Sequence, residues 1–216
     1  NVVTGVIKPS GEKGTRYTIH GAGSMEYLRM NSNSYLGMSL REDVVNAGEE
    51  ASKLFGTGPG GVRFICGTYS IHRELEERLA RFHKKGGCIL FSSAYMTSLG
   101  VITSLTTEDT VLISDELNHN CIINAMKLSR PAAKFIYKHN NVRDLEEKLD
   151  QAAGAGKRCL VITDGVFSMR GDYAPLGEIK ALCERFDDAF DEGIVSVVDD
   201  SHGVGILGSS GRGTEE

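Results

Sequence analysis

The chain has 216 residues and a net charge of −5, and 40% of its residues are hydrophobic and 25% charged. It is long enough to bury a core, and the lack of a basic excess excludes nucleic acid and anionic membrane surfaces as expected partners. Five cysteines without a CxxC pair indicate reduced core thiols, so we expect a cytoplasmic protein. No apolar run approaches the roughly 18 residues that span a bilayer.

Short apolar runs mark the predicted strands. The N-terminal part predicts a strand pair around residues 16–20 and 25–30 and a turn at 31–37, and we expect residues 1–40 to form an N-terminal arm. Five later runs predict strands that are buried on both faces: residues 88–91, 110–113, 134–137, 159–162 and 194–198.

Amphipathic segments with helical period lie between these runs. Their apolar positions are Leu75, Leu79 and Phe82, then Val142, Leu145 and Leu149, then Leu176, Ile179, Leu182 and Phe186. Alternating strands and helices predict consecutive βαβ units, whose right-handed crossovers place helices on both sides of a parallel sheet. We therefore predict an α/β fold with three layers and a mostly parallel sheet, in which residues 41–216 form one large domain.

Polar segments follow four of the predicted strands. They are SSAYMTS (92–98), SDELNHN (114–120), TDGVFSMRGD (163–172) and DDSHG (199–203). In an open parallel sheet, ligands bind in the crevice beyond the carboxyl ends of the strands. The clustering of polar groups at these ends predicts a binding site there.

Asp199 and His119 are the first candidate site residues. A carboxylate at the mouth of a buried strand is costly unless it meets a cation or several donors, so Asp199 either caps a turn or holds a protonated nitrogen of a bound aromatic cation. For Asp200 we expect a structural role. His119 is either a structural residue or an imidazole that stacks flat against a planar ligand.

The segment 92–98 predicts an anion site, because backbone N–H groups at a helix start attract a phosphate. The amides of Ala94, Tyr95 and Met96 would supply it, and the alternative is an ordinary strand-to-helix turn with a serine N-cap.

Metal binding is a competing interpretation for the acids and histidines of this edge. Its ligands would be His119, His202, Asp199 and Asp115. We expect no metal, because no two of them have the tight helical spacing of zinc motifs.

The whole pattern resembles the α-oxoamine synthases, pyridoxal-phosphate (PLP) enzymes of fold type I. The matching segments are residues 31–37, 56–82, 113–123, 163–172 and 197–213. The resemblance implies the large domain of the PLP-dependent aminotransferase-like fold, PLP as the cofactor, and a homodimer. It also implies that the small C-terminal domain and the Schiff-base lysine lie beyond Glu216, so we expect this chain to be an N-terminal portion of a longer enzyme.

The resemblance assigns roles to the residues around the PLP ring. Asp199 matches the aspartate that keeps the ring nitrogen protonated, which lets the ring act as an electron sink. His202 and Ser168 match residues at the phenolic oxygen, and His119 matches the histidine that stacks on the ring. The backbone of Ala94 and Tyr95 matches the phosphate site.

Asn33 matches the family asparagine near the carboxylate of the amino-acid substrate. Such enzymes condense an amino acid with an acyl-CoA thioester, and the segments VRFICGT and DGVFSM lead us to expect glycine and acetyl-CoA, which give 2-amino-3-ketobutyrate. Members that make 8-amino-7-oxononanoate, 5-aminolevulinate or 3-ketosphinganine share most motifs and stay alternatives. Arg170 departs from the common family sequence SMDG and is expected to bear on substrate preference. Two further hypotheses are a lysine-free subunit that supports a catalytic partner, and a generic α/β protein that binds a nucleotide or a metal.

Overall fold

The structure is a computed structural model that describes residues 7–9 and 16–216. The chain divides into two compact units, Asn1–Arg73 and Glu74–Glu216. The predicted boundary between an arm and a large domain at residue 40 falls inside the first unit and stays a prediction. Among the described residues, no helix is long and apolar enough to cross a membrane.

The first unit contains a small antiparallel sheet in the order β1-β2-β3. Its elements are β1 (Ile7–Pro9), β2 (Arg16–Ile19), β3 (Glu26–Leu28), a short 3-10 stretch (Tyr35–Leu40) and helix α1 (Glu42–Phe55). The pairing of β2 with β3, with Tyr17 opposite Tyr27, confirms the predicted strand pair. In the 3-10 stretch Leu36 has φ 58° and Gly37 has φ 64°, so the chain turns there before α1 begins.

The second unit contains a parallel sheet in the order β5-β4-β6-β7. Its strands are β4 (Thr110–Asp115), β5 (Ala133–Tyr137), β6 (Arg158–Asp164) and β7 (Ile194–Asp199). Helix α2 (Ser70–Phe82) runs across the unit boundary, and α3 (Ala94–Leu105), α4 (Asn120–Leu128), α5 (Val142–Ala152) and α6 (Leu176–Phe186) belong to the second unit. The helices predicted from periodicity coincide with α2, α5 and α6.

The three layers arise from the alternation of side chains along the strands. In β4, Val111 and Ile113 pack into a core cluster with residues of α5 and α6. Leu112 between them points to the opposite face and packs with residues of α3 and α4. All three are fully buried, so the central strand is covered on both faces, which confirms the predicted α/β fold with three layers.

The strand predicted at residues 88–91 is wrong. This segment lies outside every strand of the described part of the chain, and Ile89 is 68% exposed. A strand needs a neighbouring backbone for its ladder, whereas the Leu90 N–H donates to the Glu76 carboxylate at 3.2 Å. An apolar run alone cannot tell whether such a neighbour exists. The other four predicted strands of this group are present. Burial on both faces is confirmed for β4 and β6. It is wrong for β5 and β7, which lie at the two edges of this sheet and expose Ile136 (50%), Val195 (38%) and Val198 (39%).

Candidate active site

Three neighbouring strands end in carboxylates at the same edge of the sheet. Asp115 ends β4, Asp164 ends β6 and Asp199 ends β7, and Asp164 and Asp199 lie opposite each other in the strand register. The buried Asn118 braces this edge: its Oδ1 accepts from the Asp164 N–H and its Nδ2 donates to the Ile162 carbonyl, each at 2.8 Å. The edge therefore holds its acids on a rigid frame.

Asp199 is held by neutral donors. Its Oδ2 accepts from the Ser98 hydroxyl at 2.8 Å and from the Cys121 thiol at 3.6 Å. Its Oδ1 accepts from the Ser201 hydroxyl at 2.5 Å and from the Ser201 N–H at 3.2 Å. None of these donors is a cation, so they orient the carboxylate without neutralising it.

A cavity of about 300 Å³ opens beside Asp199. It reaches Ala94, at the start of α3, and its apolar wall consists of Val101, Ile102, Ile122, Val197 and Val198. Two of the predicted site residues, Ala94 and Asp199, thus line one space. Its shape combines an apolar wall with a few convergent polar groups, which is typical of small-molecule sites.

Asp164 is a site residue that the sequence reasoning did not single out. It is only 4% exposed, its Oδ2 accepts from the His119 N–H at 3.0 Å, and its buried Oδ1 has no hydrogen-bond partner. Burial, together with the negative charge of Asp199, raises the pKa of Asp164 to about 7. The available signal was an acid directly after the buried run CLVIT, the same pattern that pointed to Asp199.

His119 is the N-cap of α4. Its Nδ1 accepts from the Cys121 N–H at 3.2 Å and lies 3.0 Å from Cys121 Sγ. Cys121 contacts both His119 and Asp199, and the backbone N–H of His119 donates to Asp164. The predicted stacking role is compatible with this exposed position and stays a prediction.

The predicted anion site lies at the start of α3, where Ser93 is the N-cap. The Ser93 hydroxyl accepts from the Met96 N–H at 3.2 Å, so the Met96 amide is already bonded. The amides of Ala94 and Tyr95 belong to the first turn, whose N–H groups have no partner within the helix and attract anions. The Tyr95 hydroxyl accepts from Asn124 Nδ2 at 2.6 Å, which fixes the side chain at this turn.

The remaining predicted site residues are placed but their roles stay predictions. Ser168 is exposed in the loop after β6, and His202 is half-buried in the turn after β7, so both follow strands at the carboxyl edge. Asn33 lies in the first unit, just before the 3-10 stretch. Over residues 7–9 and 16–216, no group of three or more His, Cys, Asp or Glu side chains is placed to hold a metal ion.

Asp200, next to Asp199, has a structural position. Its Oδ2 accepts from the Thr214 N–H at 2.8 Å, and its Oδ1 is buried without a hydrogen-bond partner. A Cβ atom added at Gly165 or Gly203 would collide with this carboxylate. The side chain therefore fills the space between the loops after β6 and β7.

The second unit thus combines two adjacent carboxylates with the predicted anion site at the start of α3, and comparison with known proteins identifies the class. The aminotransferase class I and II family model matches residues 25–215. Structures of serine palmitoyltransferase (SPT) superpose closely. The Sphingomonas wittichii enzyme is 33% identical with a TM-score of 0.84, over 93% of this chain and 47% of its own. An SPT structure with PLP is 32% identical with a TM-score of 0.87, over 98% of this chain and 50% of its own. The chain belongs to the aminotransferase class I and II family.

Sequence relatives confirm the resemblance to the α-oxoamine synthases within this family. An 8-amino-7-oxononanoate synthase of Thermosipho melanesiensis is 47% identical over 86% of this chain and 46% of its own length. The human mitochondrial 2-amino-3-ketobutyrate coenzyme A ligase is 44% identical over 88% of this chain and 43% of its own length. The chain therefore spans about half the length of the curated relatives it matches.

Proposed function

We propose that this chain forms part of a PLP-dependent acyl-CoA:amino-acid C-acyltransferase. The observation that carries the proposal is the pair Asp164 and Asp199, two adjacent acids of which one has an unpartnered buried oxygen. Such a pair favours a ligand cation, and the first turn of α3 beside the same cavity favours an anion. Protonated PLP carries both charges, on its ring nitrogen and its phosphate.

The residues present would divide the work as follows. Asp199, oriented by Ser98 and Ser201, would accept a hydrogen bond from the protonated ring nitrogen of PLP and stabilise its positive charge. The amides of Ala94 and Tyr95 would bind the phosphate, and the imidazole of His119 would lie against the ring. When bound, PLP supplies a positively charged ring that withdraws electrons from the amino acid attached to it.

His202 and Ser168 would donate to the phenolic oxygen of PLP, and Asn33 would contact the carboxylate of the amino acid. These three roles rest on the matched family motifs. The assembly we propose is a cytoplasmic homodimer.

For the substrates we propose glycine and acetyl-CoA, in keeping with the segments VRFICGT and DGVFSM. The second candidate is 8-amino-7-oxononanoate synthesis, which the 47% identical relative supports. Serine with palmitoyl-CoA is the third pair to test, because the solved structures that superpose on the chain include serine palmitoyltransferase.

The cofactor is tested first, on the intact protein. Adding PLP is expected to produce a visible absorbance band that sodium borohydride bleaches. A protein that binds no PLP under these conditions would contradict the proposal and favour the generic α/β alternative. A protein that binds PLP without a borohydride-sensitive band would favour the lysine-free subunit.

The substrates are tested next by the release of free CoA. Glycine, alanine and serine are each combined with acetyl-, succinyl-, pimeloyl- and palmitoyl-CoA, and glycine with acetyl-CoA is expected to have the highest kcat/KM. A higher value for another pair would replace the proposed substrates and keep the reaction class. No CoA release with any pair would overturn the acyltransferase proposal.

A further inference from the structure

The loop that follows β6, residues 165–174, carries Ser168 and closes on itself. The Phe167 N–H donates to the Asp172 carbonyl at 2.9 Å, the Gly171 N–H to the Phe167 carbonyl at 2.8 Å, and the Ala174 N–H to the Gly165 carbonyl at 3.0 Å. These bonds shape the loop, but they do not determine where it lies on the sheet edge. Contacts with residues outside the loop do that: the Gly165 N–H donates to the Asp199 carbonyl at 2.8 Å, Phe167 is buried in the core cluster, and Asp172 contacts His139.

His139, which follows β5, bridges the loop to the sheet. Its Nδ1 lies 3.0 Å from Asp115 Oδ1 at the end of β4, and its Nε2 lies 3.1 Å from Asp172 Oδ2 in the loop. Ionised carboxylates only accept hydrogen bonds, so both ring nitrogens carry a proton when both bonds form. We call Asp115, His139 and Asp172 the histidine clamp.

The clamp is shielded from water on the sheet side. The Asp115 side chain is fully buried and the His139 side chain is 12% exposed. The ring of Phe167 meets the imidazole edge to face, with centroids 4.4 Å apart. Charged hydrogen bonds in such surroundings are stronger than exposed ion pairs, so this contact can hold a loop in place.

Other groups around His139 do not replace this link. Arg170 Nε donates to Asp172 at 3.0 Å, but it belongs to the same loop. Glu116 accepts from the His139 N–H at 3.1 Å and pairs with Lys138, and both lie on the sheet side. Asn140 Nδ2 donates to the Tyr173 carbonyl at 3.3 Å, which is a neutral and longer bond to the loop.

We propose that His139 is a positioning residue: by bridging Asp115 and Asp172 it holds the loop 165–174, and with it Ser168, at the edge of the proposed active site. The role of Ser168 rests on the proposed function, whereas the bridge itself does not. His139 touches neither the cavity beside Asp199 nor any residue to which we assign a cofactor contact, so it acts through the loop.

The bridge depends on pH. Burial by itself lowers the pKa of His139, but the hydrogen bonds to Asp172 and Asp115 outweigh it and the net pKa is raised. A histidine whose folded pKa is raised stabilises the fold fully below its ordinary pKa of about 6.5, and that stabilisation is lost as pH rises through the folded value. Above that pH one carboxylate faces a nitrogen lone pair, and the loop is expected to loosen.

The test is amide hydrogen exchange of peptides covering residues 165–174 in the intact, PLP-loaded protein, with protection factors corrected for the intrinsic pH dependence. In His139→Gln the protection at pH 6 is expected to fall about tenfold or more, since hydrogen bonds to charged groups are lost. In the unsubstituted protein the same fall is expected only as pH rises through the His139 pKa. His20→Gln, the same change at an exposed turn of the first unit, is the matched control and should leave the loop unchanged.

Turnover and the PLP band complete the test. His139→Gln is expected to lower kcat at pH 6 about tenfold while PLP still binds. In the unsubstituted protein kcat is expected to fall as pH rises through the His139 pKa, and this fall should be absent from the variant. Should His139→Gln fail to fold, Asp172→Asn replaces it as the test. This variant weakens the contact between His139 and the loop, keeps the contact between His139 and Asp115, and is expected to lower protection in the same peptides. Unchanged loop protection in the folded variant at every pH would overturn the proposal. A fall in protection in a protein without acyltransferase activity would keep the clamp and reject the proposed function.

Discussion

The carboxyl edge of the sheet carries two pairs of acids that differ in the charge of their hydrogen-bond donors. Asp115 and Asp172 share the imidazole of His139, and the hydrogen bond from His139 lowers the pKa of Asp172. Asp164 and Asp199 have only neutral donors, and the pKa of Asp164 is raised to about 7. Asp172 also has a buried oxygen without a hydrogen bond, so the difference lies in the charge nearby. The acids that lack a protein cation are those to which the proposed function assigns a ligand cation.

The strongest test of this contrast is Asp199→Asn in the intact protein. An asparagine keeps the shape and can accept a hydrogen bond, but it has no negative charge to keep the ring nitrogen protonated. We therefore expect kcat to fall about 10² to 10³-fold while PLP still binds. The measurement is CoA release together with the PLP absorbance band. Full activity in this variant would remove Asp199 from the proposed role.

Asp109→Asn serves as the matched control. Asp109 pairs with Lys157 at 2.7 Å and is about half exposed, just before the opposite end of β4. The same chemical change there is expected to leave turnover unchanged. A comparable loss in both variants would mean that the effect of Asp199→Asn is not local.

The second test is Asp164→Asn, followed by denaturant unfolding of the apoprotein at several pH values. Because the pKa of Asp164 is raised in the fold, its neutral form is favoured: stability is fully present below the ordinary pKa of about 3.8 and is lost as pH rises towards about 7. Asparagine stays neutral, so at pH 8 the variant is expected to be more stable than the original protein by about 2 to 4 kcal/mol. The two proteins should differ least at pH 4.

If the free energies of unfolding of the variant and the original protein change in parallel between pH 4 and 8, Asp164 does not carry an uncompensated charge. Addition of PLP gives a further check, because a bound cation favours the charged acid. The stability difference at pH 8 is therefore expected to shrink when PLP is present.

The smallest expected effect is that of Arg170→Ala. Arg170 contacts Asp172, but its side chain is 57% exposed, and exposed ion pairs contribute about 0 to 1 kcal/mol. We expect a change in the free energy of unfolding below about 1 kcal/mol, measured by denaturant unfolding at pH 6. A loss of unfolding free energy well above about 1 kcal/mol would show that Arg170, and not His139, is the main ion-pair partner of Asp172.

Much of the fold could be predicted from the sequence, because β4 to β7 and α5 and α6 each satisfy a local period that burial on the sheet requires. Residues 88–91 show the limit. Their composition is that of a buried strand, but whether a neighbouring backbone is available depends on the fold around them, and the Leu90 N–H bonds to Glu76 instead.

The positions of Asp199 and Ala94 could be predicted from local sequence, because Asp199 directly ends an apolar strand and Ala94 follows the serine N-cap of α3. Their roles stay predictions. Asp164 also follows an apolar run directly, but its raised pKa depends in part on a neighbour in the next strand, 35 residues away in the chain. The histidine clamp was missed because Asp115, His139 and Asp172 come from three separate loops or strand ends. Pairings of this kind are set by strand order and register, which local patterns do not contain.

The enclosure of Asp200 has a consequence for how this region can vary among related chains. Gly165 and Gly203 lie on different loops. A Cβ atom added at Gly203 would collide with the Asp200 carboxylate, and one added at Gly165 would collide with both this carboxylate and the Thr214 hydroxyl. An alanine at Gly203 is accommodated only when residue 200 shrinks or turns away, and Thr214 then loses the acceptor for its N–H. An alanine at Gly165 needs the Thr214 side chain to move as well. Residues 165, 200, 203 and 214, which are distant in sequence, are therefore coupled through one packed carboxylate, and we expect substitutions among them to have non-additive effects on stability.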